Sequence, residues 1–213
     1  MKPSRRLAAV ALVAATLLTA CGSQAGAASV VGDRTITDTQ VADYTDELKA
    51  QMSTIAAATY DDGKATQTAV SVLTRNAMLA EIAARENITV TQGDVDSFLE
   101  TVIAADSKGD RKTFYDSLAR DNFLPESVVA AAARTQLVVN AIVKRIAPDA
   151  ADDARSKALT DYLTPLEKEI GVEVSPRFGT WNVLTLGPSP QDLSIIPASP
   201  GTGTGSATPP PAS

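Results

Sequence analysis

Six successive segments of this chain carry apolar residues at helical spacing, and this pattern constrains the fold more than any other feature. In the first segment, Val41, Tyr44 and Leu48 lie three or four positions apart, on one face of a helix. The second segment is apolar over about half its circumference, so we expect it at the centre of a bundle. The segments lie at about 37–55, 65–86, 91–106, around 114–118, 125–147 and 152–170. The sequence therefore predicts a mainly α fold, a multi-helix bundle.

Residues that begin or interrupt helices separate these segments. Thr37 with Gln40 forms a capping box, and Thr91 with Asp94 caps the third helix. Pro165 lies inside the sixth segment, so we expect a kink or a break in that helix. In the fifth helix, the spacing predicts an inward face made of Val128, Ala132, Val139, Ile142 and Ile146.

Segments typical of β-structure lie at both ends of the helical region. The stretch 30–37 predicts two short strands around a Gly32-Asp33 turn, or one strand with a tight bend. The stretch 172–174 also has β character, and an irregular strand follows it to Asn182. We expect the two ends to meet in space, so that a short pair of β-strands closes the bundle.

Histidine is absent from the 213 residues. Without it the chain cannot use the usual Ser-His or Cys-His nucleophiles, and it cannot build a His-ligated metal site. The formal net charge of −6 and the pI near 4.7 provide no basic surface for nucleic acid. The composition therefore excludes most common hydrolases and argues against a nucleic-acid partner.

Carboxylate chemistry is the remaining enzymatic alternative. Acidic clusters occur at 61–62, 106–110 and 149–153, but none has the Asp-x-Asp-x-Asp-Gly pattern of a calcium loop. A glycosidase needs two carboxylates in one cleft, and a sequence alone cannot place such a pair. Ser-Lys chemistry has no support either, because the chain has no Ser-x-x-Lys pattern. We interpret these acids as helix caps and solvated turns, and we expect no enzymatic activity, no cofactor and no bound metal.

The N-terminus predicts an exported protein. Three basic residues precede a 14-residue apolar stretch, which is too short to span a bilayer and fits a signal peptide. The stretch ends Leu-Thr-Ala-Cys-Gly at 18–22, which resembles the lipobox of bacterial lipoproteins. That resemblance implies cleavage between Ala20 and Cys21 and acylation of Cys21, for example with palmitate. We expect a mature protein of net charge −9, since three positive charges leave with the signal, anchored by lipid on the extracytoplasmic face of the cell membrane.

The chain divides into four parts by composition. The second part is a tether of small residues, and the third is long enough, at about 158 residues, for one domain with its own core. The last part holds 7 of the 12 prolines and a single charge, Asp192, so we expect it to be disordered. Its one apolar cluster, 193–196, is either a docking strand or part of a passive tail. The parts are the signal peptide at 1–20, the acylated Cys21 with its tether at 21–28, the domain at 29–186 and the tail at 187–213.

Four motifs follow one another in a set order within the domain. They are Val-Val-Gly-Asp-Arg-Thr-Ile-Thr at 30–37, Asn-Ile-Thr-Val-Thr at 87–91, Leu-Pro-Glu-Ser at 124–127 and Val-x-Val-x-Pro-Arg-Phe-Gly-x-Trp at 172–181. Together they resemble the chaperone domain of the SurA and PrsA family, over about 30–182. The resemblance implies a helical module in which an N-terminal strand pairs with a strand after the last helix. It also implies an exported folding factor, and PrsA-type members are lipoproteins.

One departure from the family affects the expected activity. Members with foldase activity insert a parvulin-type prolyl isomerase domain, with a His-containing pocket, before the closing helix and strand. Here the fifth helix leads through Pro148 and Asp152 directly into the sixth, and the chain has no His. The resemblance therefore implies a protein without isomerase activity.

A chaperone needs an exposed, adaptable apolar surface, for which Met and aromatic side chains are suited. The alternative for each such residue is an ordinary place in the core, and only burial separates the two interpretations. We expect a membrane-anchored, chaperone-like lipoprotein that binds non-native or extended segments of unfolded, exported proteins. A non-catalytic scaffold for one fixed cell-envelope partner is the alternative. The candidate client-binding residues are Tyr44, Met52, Phe114, Tyr115 and Phe123.

Overall fold

The computed structural model describes residues 26–183 and 185–189. The expected signal peptide, the proposed lipid site Cys21 and the tail cluster 193–196 lie outside the described residues. The described part forms six α-helices and five short strands. In chain order these are β1 (Ala27–Val31), β2 (Arg34–Thr37), α1 (Asp38–Met52), α2 (Asp62–Arg85), α3 (Gln92–Ser107), α4 (Arg111–Asn122), α5 (Glu126–Ile146), α6 (Asp152–Ile170), β3 (Val172–Val174), a 3-10 turn (Pro176–Phe178), β4 (Thr180–Asn182) and β5 (Gly187–Ser189).

The two ends of the domain meet in one antiparallel sheet with the strand order β2-β1-β3. Residues 29–31 of β1 pair with 172–174 of β3, and the Gly32 amide donates to the Gly171 carbonyl at 3.0 Å. Gly32 has a φ of +56°, a left-handed conformation that favours glycine at the turn into β2. The prediction that strands from the two ends close the bundle is confirmed, and the stretch 30–37 forms a strand pair.

The second helix, α2, is the central element, as its apolar circumference predicts. It contacts α1, α5 and α6 as well as β1 and β5. Leu79 and Ile82 of α2 are fully enclosed in the main core cluster, which also takes residues from the sheet. The Ser29 and Thr74 hydroxyls, 2.6 Å apart, form a buried hydrogen bond between β1 and α2. The sheet is therefore attached to the bundle through its central helix.

The predicted caps of α1 and α3 are present. The Thr37 hydroxyl accepts a hydrogen bond from the Gln40 amide at 3.2 Å, and the Thr37 amide donates to Gln40 Oε1 at 2.8 Å. Thr91 and Asp94 make the same two contacts at 3.1 Å and 2.8 Å. The hydrogen bonds from the Thr91 hydroxyl and amide lower the pKa of Asp94. Each capping box therefore satisfies two backbone amide donors at the start of its helix.

The sixth helix, α6, is continuous through Pro165, so of the two expected outcomes the break does not occur. It runs from Asp152 to Ile170 and ends at Gly171, whose φ is +76°. Pro165 removes the amide that would bond to the Asp161 carbonyl, and both residues are exposed. Because the defect lies on the solvent side, water can satisfy the carbonyl and the helix continues.

The buried residues of α5 lie on both sides of the predicted face rather than along it. Ile142 is fully buried as expected, but Val128, Ala132, Val139 and Ile146 are only half-buried. Because α5 packs against α2, α3 and α6, its buried residues occupy more of the helix circumference than a single apolar face. The residues enclosed in their place are Val129, Ala133, Thr135 and Val138.

The domain extends beyond both predicted boundaries. Ala27 and Ala28 are buried in β1, so they belong to the domain and not to the tether. At the other end, β5 pairs with β4, so the predicted tail contains a strand of the domain. Gly187 allows this approach, because an added Cβ would lie 2.5 Å from Ser71 Oγ. Composition did not reveal these strands, since their pairing depends on distant residues.

Candidate functional site

The five residues predicted to bind clients do not form an exposed surface. Tyr44, Met52, Phe114 and Phe123 are each at most 5% exposed, and Tyr115 is half-buried. The expected exposed cluster is therefore corrected: four of these five are core residues.

Neighbouring elements cover the faces on which these residues lie. The first helix, α1, packs against α2 and α4, which encloses Tyr44 and Met52. The Tyr44 hydroxyl donates to the Phe123 carbonyl at 2.8 Å, and burial raises the pKa of Tyr44 above its ordinary value. The ammonium of Lys64 lies 4.4 Å from the centre of the Phe123 ring. Helical spacing identifies an apolar face, but it does not show which element covers that face.

A cleft of about 530 Å³ lies between α2, the end of α4 and the hairpin formed by β4 and β5. Hydrogen bonds hold the hairpin as one wall: Gln67 Nε2 donates to the Pro188 carbonyl at 2.8 Å and Ser71 Oγ to the Leu186 carbonyl at 3.2 Å. The cleft is therefore preformed. We call it the Arg75 cleft, and it is lined by Gln67, Thr68, Ser71, Val72, Arg75, Leu118, Asn122, Leu124, Thr185, Gly187 and Pro188.

Arg75 is the single charged residue among the described residues that line this cleft. It is half-buried, makes no ion pair with any described residue, and its Nε has no hydrogen-bond partner. Burial lowers the pKa of Arg75, because desolvation disfavours the charged form, although the guanidinium remains protonated at neutral pH. The Arg75 cleft therefore contains a partly desolvated positive charge without a counter-charge from the described chain.

A second cleft, of about 580 Å³, lies beside β3 and is called the sheet-edge cleft. Trp181 is 8% exposed there, and its Nε1 has no hydrogen-bond partner. Burial raises the pKa of Glu167, another lining residue. Polar and apolar groups share the walls, and the residues that define the cleft include Val30, Glu167, Val172, Val174, Pro176 and Trp181.

Among the described strands, β3 is at the outer edge of its sheet. The Ser175 amide donates to the Ala28 carbonyl at 2.9 Å, immediately after β3. Since bonded and non-bonded positions alternate in an antiparallel ladder, the backbone of Glu173 also faces β1. The backbone groups of Val172 and Val174 then point away from β1. An extended chain can pair with such an edge.

Two of the three acidic clusters supply the N-cap of a helix, whereas in the third the N-cap of α6 is Ala151, which makes no side-chain cap hydrogen bond. Asp61 Oδ1 accepts from the Lys64 amide at 2.8 Å, and Asp110 Oδ1 accepts from the Thr113 amide at 3.1 Å. Both interactions confirm the interpretation of these acids as caps. In the part of the chain that the structure describes, no group of three or more acidic, His or Cys side chains is placed to hold a metal ion.

One described helix, α5, is long and apolar enough to cross a membrane by length and composition. It packs against α2, α3 and α6 and carries core residues such as Val138 and Ile142. Core helices of bundles commonly have this composition, so we assign α5 to the bundle.

Sequence analysis did not single out Arg75 or Trp181 as site residues. Arg75 is the one charged residue in the stretch 69–79 of the most buried helix, and this isolation is a signal that sequence contains. Trp181 is the chain's single Trp and ends the closing motif. Neither signal shows that the side chain lines a cleft.

Comparison with known proteins places residues 6–143 in a family. The profile of one family, described as the SurA-like N-terminal domain, matches residues 6–143. The match extends from the N-terminal segment to the last turns of α5, so that α6 and strands β3 to β5 lie beyond it. No curated protein and no solved structure matches the chain.

Proposed function

This chain belongs to the SurA-like N-terminal domain family, and from that membership we propose that it binds non-native or extended segments of exported proteins. The family match, over more than half of the chain, is the observation that carries the proposal. Binding uses apolar contact and backbone pairing, without covalent chemistry. The protein acts as a chaperone-type binding module.

The two clefts support this proposal. The Arg75 cleft has apolar side chains from Val72, Leu118 and Leu124 in its walls, and the sheet-edge cleft offers Val172 and Val174 on the edge strand of the described sheet. Apolar walls accept many side chains, and a strand edge recognises backbone, which is common to all sequences. Such surfaces suit a binder of varied extended segments.

The proposed activity does not include prolyl isomerisation. The fifth helix ends at Ile146 and α6 begins at Asp152, so the residues 147–151 alone connect them. This connection is too short to contain a parvulin-type domain at the place where foldase members of the family carry one. The chain also has no His for a parvulin-like pocket.

Suppression of aggregation tests the proposed function. We expect the protein, at a near-stoichiometric ratio, to reduce the light scattering of a chemically unfolded test protein diluted into buffer by about half or more, because its clefts cover exposed apolar segments. An equal mass of a small inert protein is the control for crowding. Unchanged scattering at about tenfold excess would show that the protein does not bind unfolded chains.

A capture experiment separates this function from the alternative, a scaffold for one cell-envelope partner. Cross-linking in intact cells followed by mass spectrometry yields many exported proteins at low occupancy if the protein is a chaperone. A single partner at one-to-one stoichiometry supports the scaffold and contradicts the broader binding.

We also propose that acylated Cys21 anchors the mature protein on the extracytoplasmic face of the cell membrane. The support is the order of basic, apolar and small residues before the Cys. Replacing Cys21 with Ala is expected to move the protein from the membrane fraction to the soluble fraction, because the lipid supplies the membrane affinity. Thr19→Ala is the control, since it keeps a small residue before Cys21. Unchanged partitioning of the Cys21→Ala protein contradicts the anchor.

A further inference from the structure

We propose that the Arg75 cleft binds a carboxylate of the bound polypeptide, with the Arg75 guanidinium as its partner. This inference rests on the proposed function, because it names the chemistry by which one cleft recognises an extended segment. The carboxylate belongs either to an acidic side chain or to the C-terminus of that segment. Nothing in the family match assigns a role to this residue.

The positive charge of Arg75 is unpaired among the described residues. Taking a guanidinium partly out of water without a counter-charge is unfavourable, and such groups in folded proteins are normally paired. Arg155 also has an unpartnered Nε, but its Nη1 lies 3.5 Å from Asp152. Arg75 has no such ion pair among the described residues. An arriving anion would therefore complete an interaction that the described chain leaves open.

The surroundings of Arg75 keep the charge available for a ligand. No carboxylate is among the described residues that line the cleft, and the ionisable group that interacts with Arg75 is Tyr44, whose pKa burial raises, so that its hydroxyl is neutral. That hydroxyl is already engaged with the Phe123 carbonyl. Since the wall formed by Gln67 and Ser71 is held by hydrogen bonds to the hairpin, a ligand meets a formed cleft.

The geometry of the group selects the ligand. Guanidinium presents a planar fork of donors that matches a carboxylate in a bidentate arrangement. Beside it, Leu118, Leu124 and Pro188 supply apolar wall. The cleft thus fits a segment that has an apolar side chain next to a carboxylate. Asn122 lies in the same wall and can contact the ligand backbone.

Matched peptides test the inference. The probes are fluorescein-labelled peptides of one apolar sequence, with either Glu or Gln at one position and with either a free or an amidated C-terminus. We expect the full chain to bind at least one carboxylate form about tenfold more tightly than the fully neutral form, as is typical of a charge-assisted hydrogen bond. In the Arg75→Gln protein this preference disappears, while the neutral peptide binds as before.

Two variants control for charge and geometry. Arg34→Gln removes the same charge from an exposed position on β2, outside the cleft, and should keep the preference. Arg75→Lys keeps the charge but not the fork, and should reduce the preference only in part. Circular dichroism confirms that the variants are folded, and removal of a desolvated charge should leave the Arg75→Gln protein at least as heat-stable as the parent.

The possible outcomes distinguish failure of the carboxylate site from failure of the proposed polypeptide binding. Equal affinity for charged and neutral peptides, or a preference that survives Arg75→Gln, overturns the carboxylate site while peptide binding stands. If none of the peptides binds, both proposals fail. A preference that follows the free C-terminus assigns the ligand to chain ends, and one that follows Glu assigns it to acidic side chains.

The chain's own Asp192 is a further source of a carboxylate, since it follows Pro188 by four residues. The nuclear magnetic resonance signal of the Arg75 Nε–H group distinguishes this source. Addition of the carboxylate peptide should shift that signal, whereas Asp192→Asn in the free protein should leave it unchanged. A shift caused by Asp192→Asn would assign the cleft to the tail and overturn its role toward bound polypeptide.

Discussion

Replacing Trp181 with Ala is expected to lower the free energy of unfolding by about 3–5 kcal/mol, the usual cost of removing a large aromatic side chain from a core. Trp181 is 8% exposed and belongs to the main core cluster, although it lies beyond the residues that the family profile matches. Its loss leaves a cavity beside β3 and β4. Urea unfolding followed by far-ultraviolet circular dichroism measures the change.

Trp181→Phe is the matched control for this experiment. Phe keeps most of the aromatic volume, and it removes an indole N–H that has no hydrogen-bond partner. Since no hydrogen bond is lost, we expect a cost well below that of Ala, on the order of 1 kcal/mol. Equal costs for Ala and Phe, or a cost for Ala below about 1 kcal/mol, would show that the closing segment is not part of the cooperative fold.

Replacing Leu163 with Ala should lower the free energy of unfolding by about 2–5 kcal/mol. Leu163 is 1% exposed in α6 and packs in the main core cluster. The cost has two parts, the lost burial of the isobutyl group and the cavity that the rigid surroundings leave. The same urea titration measures it, with the slope of the transition as a check that unfolding remains two-state.

Leu159→Ala provides a comparison within the same helix. Leu159 lies one turn before Leu163 on the same side of α6, but it is only half-buried. We expect a clearly smaller loss of stability there, because less apolar area leaves contact with the core. Similar losses at the two positions would contradict the burial difference between them.

Together these variants test where the domain ends. The family profile stops at residue 143, yet Leu163, Ile170 and Trp181 are core residues. Strand β3 pairs with β1 at the opposite end of the chain. We therefore expect α6 and the closing strands to unfold together with the matched region, as one cooperative unit.

Local rules account for the part of the fold that sequence predicted well. The capping boxes at Thr37 and Thr91 depend on residues three positions apart. The inner face of α1, including Val41 and Leu48, follows from helical period alone. Such features need no knowledge of distant elements.

The candidate site was harder to predict, because the burial of a side chain and the pairing of a charge depend on residues that are distant in the sequence. As aromatic residues, Tyr44 and Phe123 are suited to an exposed apolar surface, but the packing of the helices buries both. Arg75 is the one charged residue in the stretch 69–79, but only the structure places it in a cleft without an ion partner among the described residues. The sequence contains no direct record of either neighbourhood.

By itself, then, the sequence determined a mainly α domain closed by its two ends and a chain without His, and it predicts a signal peptide at 1–20 followed by Cys21. These follow from residue identity and from spacing within a few positions. The tertiary structure alone decided that β5 belongs to the domain, which aromatic side chains are enclosed, and that Arg75 lines a cleft. The physical reason is that enclosure and charge pairing depend on which distant segments pack together, and local sequence patterns do not specify those contacts.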